Sequence, residues 1–136
     1  MICSTVYWTL KHNLVPSLQL YGSGSIVRAN LDGSEQNIIV SHQKCPTGIA
    51  VDDITSRIIW ADYSEDRILS SELNGRDVRL IVSLPRDVGP WGVAVHNGTV
   101  FWGTSEGTVQ TMNDTGQNVQ TIYSGASGTV KHIIIT

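Results

Sequence analysis

Residues 57–75 read RIIWADYSEDRILSSELNG, and this stretch decides the fold. It holds two short runs rich in Ile and Leu, 57–62 and 67–72, with Tyr-Ser-Glu-Asp between them and Asn-Gly after them. β-branched residues and apolar-polar alternation favour strands, while Gly, Asn, Asp and Ser favour the turns that join them. The stretch therefore predicts two strands joined by tight turns.

The same pattern occurs on both sides of this stretch. Three pairs consist of an apolar residue followed by Trp, namely Tyr7-Trp8, Ile59-Trp60 and Phe101-Trp102. A glycine closes the second run of each copy, and Gly33, Gly75 and Gly116 are spaced by 42 and 41 residues. Self-similarity at a fixed period of this length indicates a repeat architecture.

Each copy continues with two further runs. A short apolar segment begins five residues past each glycine, at Ile38, Leu80 and Thr121. The fourth run reads GIAVD at 48–52 and GVAVH at 92–96, with HIIIT at 132–136 as a degenerate copy. No window shows a sustained helical stripe. Four short strands in a unit of about 40 to 50 residues predict an all-β fold of the β-propeller kind, because a β-sandwich would not repeat its sequence at this period.

The composition fits a folded chain without a nucleic-acid surface. Of the 136 residues, 40% are hydrophobic and 15% are charged, and the formal net charge is -3. Nucleic-acid binding needs a clustered basic patch, whereas the nine Lys and Arg are scattered. No apolar run approaches the roughly 18 residues that cross a bilayer. We therefore expect no nucleic-acid partner and no membrane span within this chain, and no secretory signal is visible after Met1.

The repeats resemble the class B, or YWTD, repeats of the low-density lipoprotein receptor family. The matching segments are Tyr7-Trp8-Thr9, Ile59-Trp60-Ala61-Asp62, Phe101-Trp102-Gly103, residues 26–33 and residues 48–52. The resemblance covers nearly the whole chain and is most specific in the middle repeat, since in the third repeat Gly103 replaces Thr and no Asp follows. It implies a YWTD-type β-propeller of about three four-stranded blades, half of a six-bladed ring.

The strand order of the family implies that each blade begins with the Gly-Ile-Ala-Val strand at the central axis. In that order, 5–40 form an incomplete blade one, 47–82 blade two, 91–123 blade three, and 130–136 the first strand of a further blade. Three blades are fewer than the four to eight that close a ring. We therefore expect a fragment of a larger receptor-like protein that self-associates in isolation, with 130–136 of one copy completing blade one of another.

The resemblance implies an extracellular module that binds protein ligands, in the ectodomain of a single-pass membrane receptor with an endocytic or signalling role. The alternative is a secreted structural linker of the extracellular matrix, similar to the propeller of nidogen. We expect no enzyme, no cofactor and no metal, because the chain has no nucleophile elbow, phosphate loop or metal-ligand spacing. A more distant alternative is a metal-dependent lactonase-like hydrolase, with Asp52, Asp53, His96 and Asn97 near the axis.

The motif residues are predicted to serve the fold. Trp8, Trp60 and Trp102 recur in register, as core packing demands. The resemblance implies that Asp62 caps backbone donors between neighbouring blades and that Arg28 is the partner of an acid linking blades. Tyr7 and Thr9 complete the motif of the first repeat.

The candidate ligand-binding residues fall in loops at one end of the blades, which we call the top face. The family's inner strand runs from top to bottom, so the joins between strands two and three and between successive blades lie at the top. These joins carry Tyr63, Glu65, Asp66, His42, Lys44, Arg86, Asp87 and Trp91. An exposed Trp beside Arg and acidic groups is typical of an interface anchor. In the alternative, Trp91 is core, wedged between blades two and three.

Two sequons fall at the opposite, bottom face and predict glycosylation at Asn97 and Asn113. Cys3 and Cys45 specify neither a disulfide framework nor a zinc site. Residues 10–20 interrupt the repeat, as either a long binding loop or an imprecise coding boundary.

Overall fold

A computed structural model describes residues 5–10, 24–125 and 127–136, so Cys3 and residues 11–20 of the interruption lie outside it. The described residues contain eleven β-strands and no helix. The strands are β1 Thr5–Leu10, β2 Gly24–Asn30, β3 Asn37–Gln43, β4 Pro46–Asp52, β5 Arg57–Asp62, β6 Arg67–Glu72, β7 Arg79–Ser83, β8 Pro90–His96, β9 Thr99–Thr104, β10 Thr108–Asn113 and β11 Gln120–Ser124.

The strands form three antiparallel sheets in which each strand pairs with its neighbours in sequence. Blade one holds β1 to β3, blade two β4 to β7, and blade three β8 to β11. In blade two, Trp60 lies opposite Ile49 on one side and Leu69 on the other. These are three radially packed blades of a β-propeller, which confirms the predicted all-β fold.

The glycines that mark the repeat lie where the backbone requires them. Gly33, Gly75 and Gly116 have φ angles of 84°, 86° and 85°. This left-handed region is open to glycine and strained for most other residues. The glycine spacing in the sequence therefore reflects a turn of the same conformation in each of the three blades.

The inner strands β4 and β8 approach each other closely through a recurring irregularity. The register of β4 against β5 shifts between Pro46 and Ile49, and that of β8 against β9 shifts at the equivalent position. A Cβ atom at Gly48 would meet the Trp91 carbonyl oxygen at 2.5 Å and the Gly92 Cα at 2.7 Å. Only a residue without a side chain fits this contact.

The hydrophobic core lies between the blades. Successive side chains of β5 point to opposite faces of the sheet, so Ile58 and Trp60 pack against blade one while Ile59 packs toward blade three. Trp60 and Trp102 are each 0% exposed, Trp60 between blades one and two and Trp102 between blades two and three. Each inter-blade contact is thus built around one buried Trp.

Two features at the ends of the blade array depart from the repeat. Trp8 is only half-buried, because no described blade packs against the face of blade one that corresponds to the buried face of Trp60. Residues 130–136, predicted as the first strand of a further blade, form no strand. A strand needs a ladder partner, and none of the described strands pairs with this segment.

We expect Trp60→Ala to lower the free energy of unfolding by about 3 to 5 kcal/mol, the range for truncating a buried large aromatic side chain. Urea unfolding at fixed protein concentration measures the change. Ile54→Ala is the matched control, since Ile54 is 67% exposed in the turn between β4 and β5 and should cost less than about 0.5 kcal/mol. Equal stability of the two variants would contradict the placement of the core.

Candidate binding face

Hydrogen bonds between loops hold the top face together. The Tyr63 amide donates to the Cys45 carbonyl at 2.9 Å, which ties the β5–β6 turn to the join between blades one and two. The Leu84 amide donates to the Asp66 carbonyl at 2.7 Å, and the Ser105 amide donates to the Gly89 carbonyl at 2.9 Å. The loops from blades two and three therefore form one continuous surface.

Tyr63 and Trp91 form the aromatic part of this surface. Their ring centroids are 5.0 Å apart at an interplanar angle of 74°, an edge-to-face pair. Lys131 Nζ lies 5.5 Å from the centroid of the Trp91 ring, within the range of a cation–π contact. Tyr63 is 37% exposed and Trp91 is half-buried, so both rings are partly open to solvent.

Lys44 and Glu65 form an ion pair at 2.5 Å, with side chains 39% and 32% exposed. An exposed pair of this kind adds little stability because water screens it. It does connect two of the predicted binding loops. His42, predicted in the join between blades, is instead an exposed residue near the end of β3 with a φ angle of 60°, whereas Arg86 is exposed in the loop between β7 and β8.

Asp66, predicted to contact ligand, forms hydrogen bonds to the backbone of a neighbouring loop. Its carboxylate accepts hydrogen bonds from the Asp87 amide at 3.0 Å and the Gly89 amide at 2.8 Å. It therefore fixes the loop between blades two and three. Asp66 and Asp87 line a cleft of about 180 Å³ that is also bordered by Tyr63, Ser64, Gly89 and Ser105.

Asp62 is 0% exposed and serves the equivalent loop between blades one and two. Its carboxylate accepts hydrogen bonds from the amides of Lys44 at 3.2 Å, Cys45 at 3.3 Å and Glu65 at 3.3 Å. A buried carboxylate is tolerated when it is bonded in this way. In blade three Thr104 takes this position, and its hydroxyl accepts from the Thr108 amide at 3.2 Å instead. In the loop between blades two and three, Asp66 accepts the backbone hydrogen bonds in place of a carboxylate at position 104.

Arg28 bonds to blade two through a backbone carbonyl. Arg28 Nη1 donates to the Leu73 carbonyl at 3.3 Å, and the Tyr7 hydroxyl donates to the same oxygen at 3.0 Å. Within the described residues Arg28 forms no ion pair. The turn of blade two offers a backbone carbonyl there, which accepts a hydrogen bond from one of the guanidinium donors. Thr9 makes a similar link by donating from Oγ1 to the Thr47 carbonyl at 2.7 Å.

The two sequon asparagines lie in neighbouring bottom turns. Asn97 is exposed, and the Asp114 amide donates to the Gly98 carbonyl at 2.9 Å, which joins the turn after β8 to the turn after β10. Asn113 Oδ1 accepts from the Thr115 amide at 3.1 Å and the Gln117 amide at 2.9 Å. Glycans at both asparagines would occupy the same side of the molecule.

A pair of carboxyl groups, Asp52 and Asp114, connects blades two and three at this bottom face. Asp52 is 1% exposed and accepts from the Ile54 amide at 3.0 Å and the Thr55 hydroxyl at 2.7 Å. Burial, followed by the charge of Asp52 and a hydrogen bond to it, raises the pKa of Asp114 above its ordinary value of 3.8. Asp114 therefore holds its proton to a higher pH than an isolated aspartate does.

Asp53, His96 and Asn97, raised as near-axis candidates for a metal-dependent hydrolase, lie on exposed turns at the bottom. The described part of the chain contains no group of three or more His, Cys, Asp or Glu that could hold a metal ion.

Cys45 is half-buried and forms no disulfide among the described residues. No helix within those residues has the length and apolar character needed to cross a bilayer.

Comparison with solved structures identifies the type of propeller. The nidogen chain of the nidogen/laminin complex superposes with a TM-score of 0.77 and 26% identity, over 95% of this chain and 47% of that one. A gluconolactonase from Xanthomonas campestris superposes with a TM-score of 0.69 at 20% identity, over 94% of this chain and 46% of that one, which shows a shared fold alone. The protein is therefore a partial β-propeller of the YWTD type, and its likeness to nidogen supports an extracellular propeller module.

Among proteins of similar sequence is protein cueball of Drosophila. Protein cueball from Drosophila erecta is 32% identical over 101 residues, which are 71% of this chain and 14% of that protein. The chain thus spans a small part of this relative and about half of the solved propellers it matches. No family model matches the chain.

The raised pKa of Asp114 predicts a pH-dependent stability. Between 3.8 and its raised folded value, the folded protein binds more protons at this group than the unfolded chain, so stability from this group is present at low pH and lost as the pH rises. We expect Asp114→Asn to be more stable than the parent at neutral pH, with a gain that shrinks as the pH falls toward about 4. Urea unfolding across this pH range measures the gain.

Asp53→Ser is the control for that measurement, because it removes the same charge from an exposed position in the turn that follows Asp52. It should give no comparable gain. A gain for Asp114→Asn that stays constant over the pH range would contradict the raised pKa of Asp114.

Proposed function

We propose that the chain is a protein-binding module in the ectodomain of a receptor related to the low-density lipoprotein receptor, and that it binds its ligand on the top face. The observation that carries this proposal is the edge-to-face pair of Tyr63 and Trp91, partly open to solvent and surrounded by charged groups. Large aromatic residues with a polar rim are the usual anchors of protein interfaces.

The arrangement of the loops supports the choice of face. Tyr63 and Trp91 come from different blades, so a ligand on them also contacts the join between blades two and three. Glu65, which pairs with Lys44, follows Tyr63 in the same turn, and Asp87 lines a cleft together with Tyr63. Charges of both signs around an aromatic centre favour specificity and rate of encounter. Glycans at Asn97 and Asn113 would hinder access to the bottom instead.

Binding rather than catalysis fits the chemistry of this face. Both oxygens of Asp66 accept backbone hydrogen bonds, and Glu65 is paired with Lys44, which leaves neither carboxylate poised as a general base. The fold is shared with hydrolases, and a shared fold alone does not carry activity. We therefore infer a non-enzymatic module.

A structural linker of the extracellular matrix is the second candidate function. It is favoured by the likeness to the nidogen chain of a nidogen/laminin complex, at a TM-score of 0.77. The sequence that flanks this propeller in the parent transcript separates the two candidates. A membrane span with cysteine-rich repeats and a short cytoplasmic tail supports the receptor, whereas a wholly secreted chain with matrix-binding domains supports the linker.

Binding of laminin, measured by surface plasmon resonance with the chain immobilised, tests the top face directly. If laminin binds there, we expect Trp91→Ala to weaken it at least about 30-fold, the effect of losing a hot-spot anchor of about 2 kcal/mol. Arg86→Glu should weaken it less, and Asn97→Gln and Asn113→Gln should leave it unchanged.

Circular dichroism melting of each variant checks that it is folded. Absence of laminin binding by the folded parent would contradict the linker candidate. Laminin binding that survives both top-face changes and is lost on altering the bottom-face asparagines would overturn the assignment of faces.

A further inference from the structure

The two contacts between neighbouring blades differ at one pair of equivalent positions. In blade one Tyr7 of β1 lies opposite Arg28 of β2, and in blade two Ile59 of β5 lies opposite Ser70 of β6. Arg28 and Ser70 hold the same position of the repeat, five residues before the turn glycine of their blade. Blade two therefore has two smaller side chains where blade one has a phenol and a guanidinium.

The two larger side chains of blade one reach across to blade two. The Tyr7 hydroxyl and Arg28 Nη1 both donate to the Leu73 carbonyl, at 3.0 Å and 3.3 Å. Leu73 lies two residues before the turn glycine of blade two, and Asp114 holds this position in blade three. Asp114 is therefore the residue that an equivalent bridge from blade two to blade three would meet.

A cleft takes the place of that bridge between blades two and three. Its volume is about 320 Å³, at the lower end of the range of small-ligand sites. Ile59 and Ser70 of blade two and Asp114 of blade three are among its lining residues. All four strands of each of these blades are described, so both walls of the cleft belong to this chain. The cleft therefore follows from the two smaller side chains at positions 59 and 70.

The two arginines that line the cleft are bonded within blade two. Arg57 Nη1 lies 3.3 Å from Asp77 Oδ2, and its Nη2 donates to the Asp77 carbonyl at 2.6 Å. Arg79 Nη2 lies 2.6 Å from the same carboxylate oxygen. These partners all belong to blade two, so neither arginine repeats the bridge that Arg28 makes.

Asp52 and Asp114 leave negative charge at the cleft. Asp114 lines it, and Asp52 acts on Asp114 through its charge and a hydrogen bond. Among the described residues neither carboxylate forms an ion pair, whereas Asp77 is paired with both arginines. A cation beside Asp114 offsets the repulsion between the two carboxylates.

We propose that this cleft binds an arginine side chain of a protein ligand. The incoming guanidinium takes the place relative to Asp114 that the Arg28 guanidinium takes relative to Leu73, and it donates to the carbonyl and the carboxylate of Asp114. A planar guanidinium suits two oxygens at once, whereas the ammonium of lysine is a point charge. The site lies by the bottom turns, so it is separate from the Tyr63–Trp91 pair.

Titration of the full 136-residue chain with N-acetyl-arginine amide, followed by NMR, tests this proposal. The chain is produced without glycans, because a glycan at Asn113 would lie next to Asp114. We expect saturable shifts of the backbone amide signals of Asp114 and Ser70. N-acetyl-citrulline amide has the same shape without the charge and is the control ligand. It should bind at least about 10-fold more weakly, the effect of losing a charge-assisted hydrogen bond.

Two variants locate the site. Asp114→Asn should weaken binding of the arginine probe at least about 10-fold, for the same reason. Ser70→Arg should abolish it, because the new guanidinium fills the cleft as Arg28 fills the first contact. Asp53→Ser, which removes a charge from an exposed bottom turn, and Trp91→Ala on the top face are the controls and should leave the affinity unchanged.

Three outcomes overturn the proposal. One is the absence of saturable shifts up to about 10 mM probe, where a site of millimolar affinity would be mostly occupied. Another is equal binding of the citrulline probe, or equal binding by folded Asp114→Asn. The third is loss of binding in Trp91→Ala, which would place the arginine on the top face. Circular dichroism melting checks the fold of each variant, and Asp114→Asn decides alone if Ser70→Arg does not fold.

Discussion

Close approach of the inner strands is the constraint on which the rest of the structure depends. Gly48 of β4 lies against the backbone of Trp91, Gly92 and Val93, and Gly92 lies in turn against residues 131 and 132. The blades are held at a short distance near the axis and diverge outward, where the larger side chains fill the space. The wedge between two blades is filled by Trp60 in one contact and by Trp102 in the other. Without the glycines, the inner strands would separate and the Trp side chains would lose their packing.

This packing also decides where the loops lie. Because successive blades pack side by side in the same orientation, the β5–β6 turn of blade two lies beside the loop between β7 and β8. Tyr63 meets Trp91 there, and Asp66 accepts the amides of Asp87 and Gly89. The aromatic centre of the top face is thus a consequence of the distance between blades, and rigid strands rather than long loops position it.

The sequence predicted the strands, their order and the buried Trp60 and Trp102, since these depend on local pattern and on a repeat that can be counted. It could not distinguish the half-buried Trp8 from these two buried residues, because burial of Trp8 depends on a neighbouring blade and not on its own position in the repeat. The capping of the loop between blades two and three by Asp66 was also not predicted. Thr104 at the last motif position of blade three was a visible signal, but which acid caps the loop instead depends on three-dimensional contacts. The family resemblance implied an acidic partner for Arg28, whereas the structure shows a hydrogen bond to the Leu73 carbonyl. This contact too depends on three-dimensional packing.

The free energy of unfolding of Gly48→Ala tests the close packing of the inner strands most directly. Gly48 is not in the left-handed region, so a methyl group there acts through contact with the backbone atoms of blade three alone. We predict a loss of about 1 to 3 kcal/mol, as for overpacking of a tight interior. Gly128→Ala, where a Cβ atom meets nothing within 4 Å, should leave the free energy of unfolding unchanged. A Gly48→Ala variant as stable as Gly128→Ala would contradict the account.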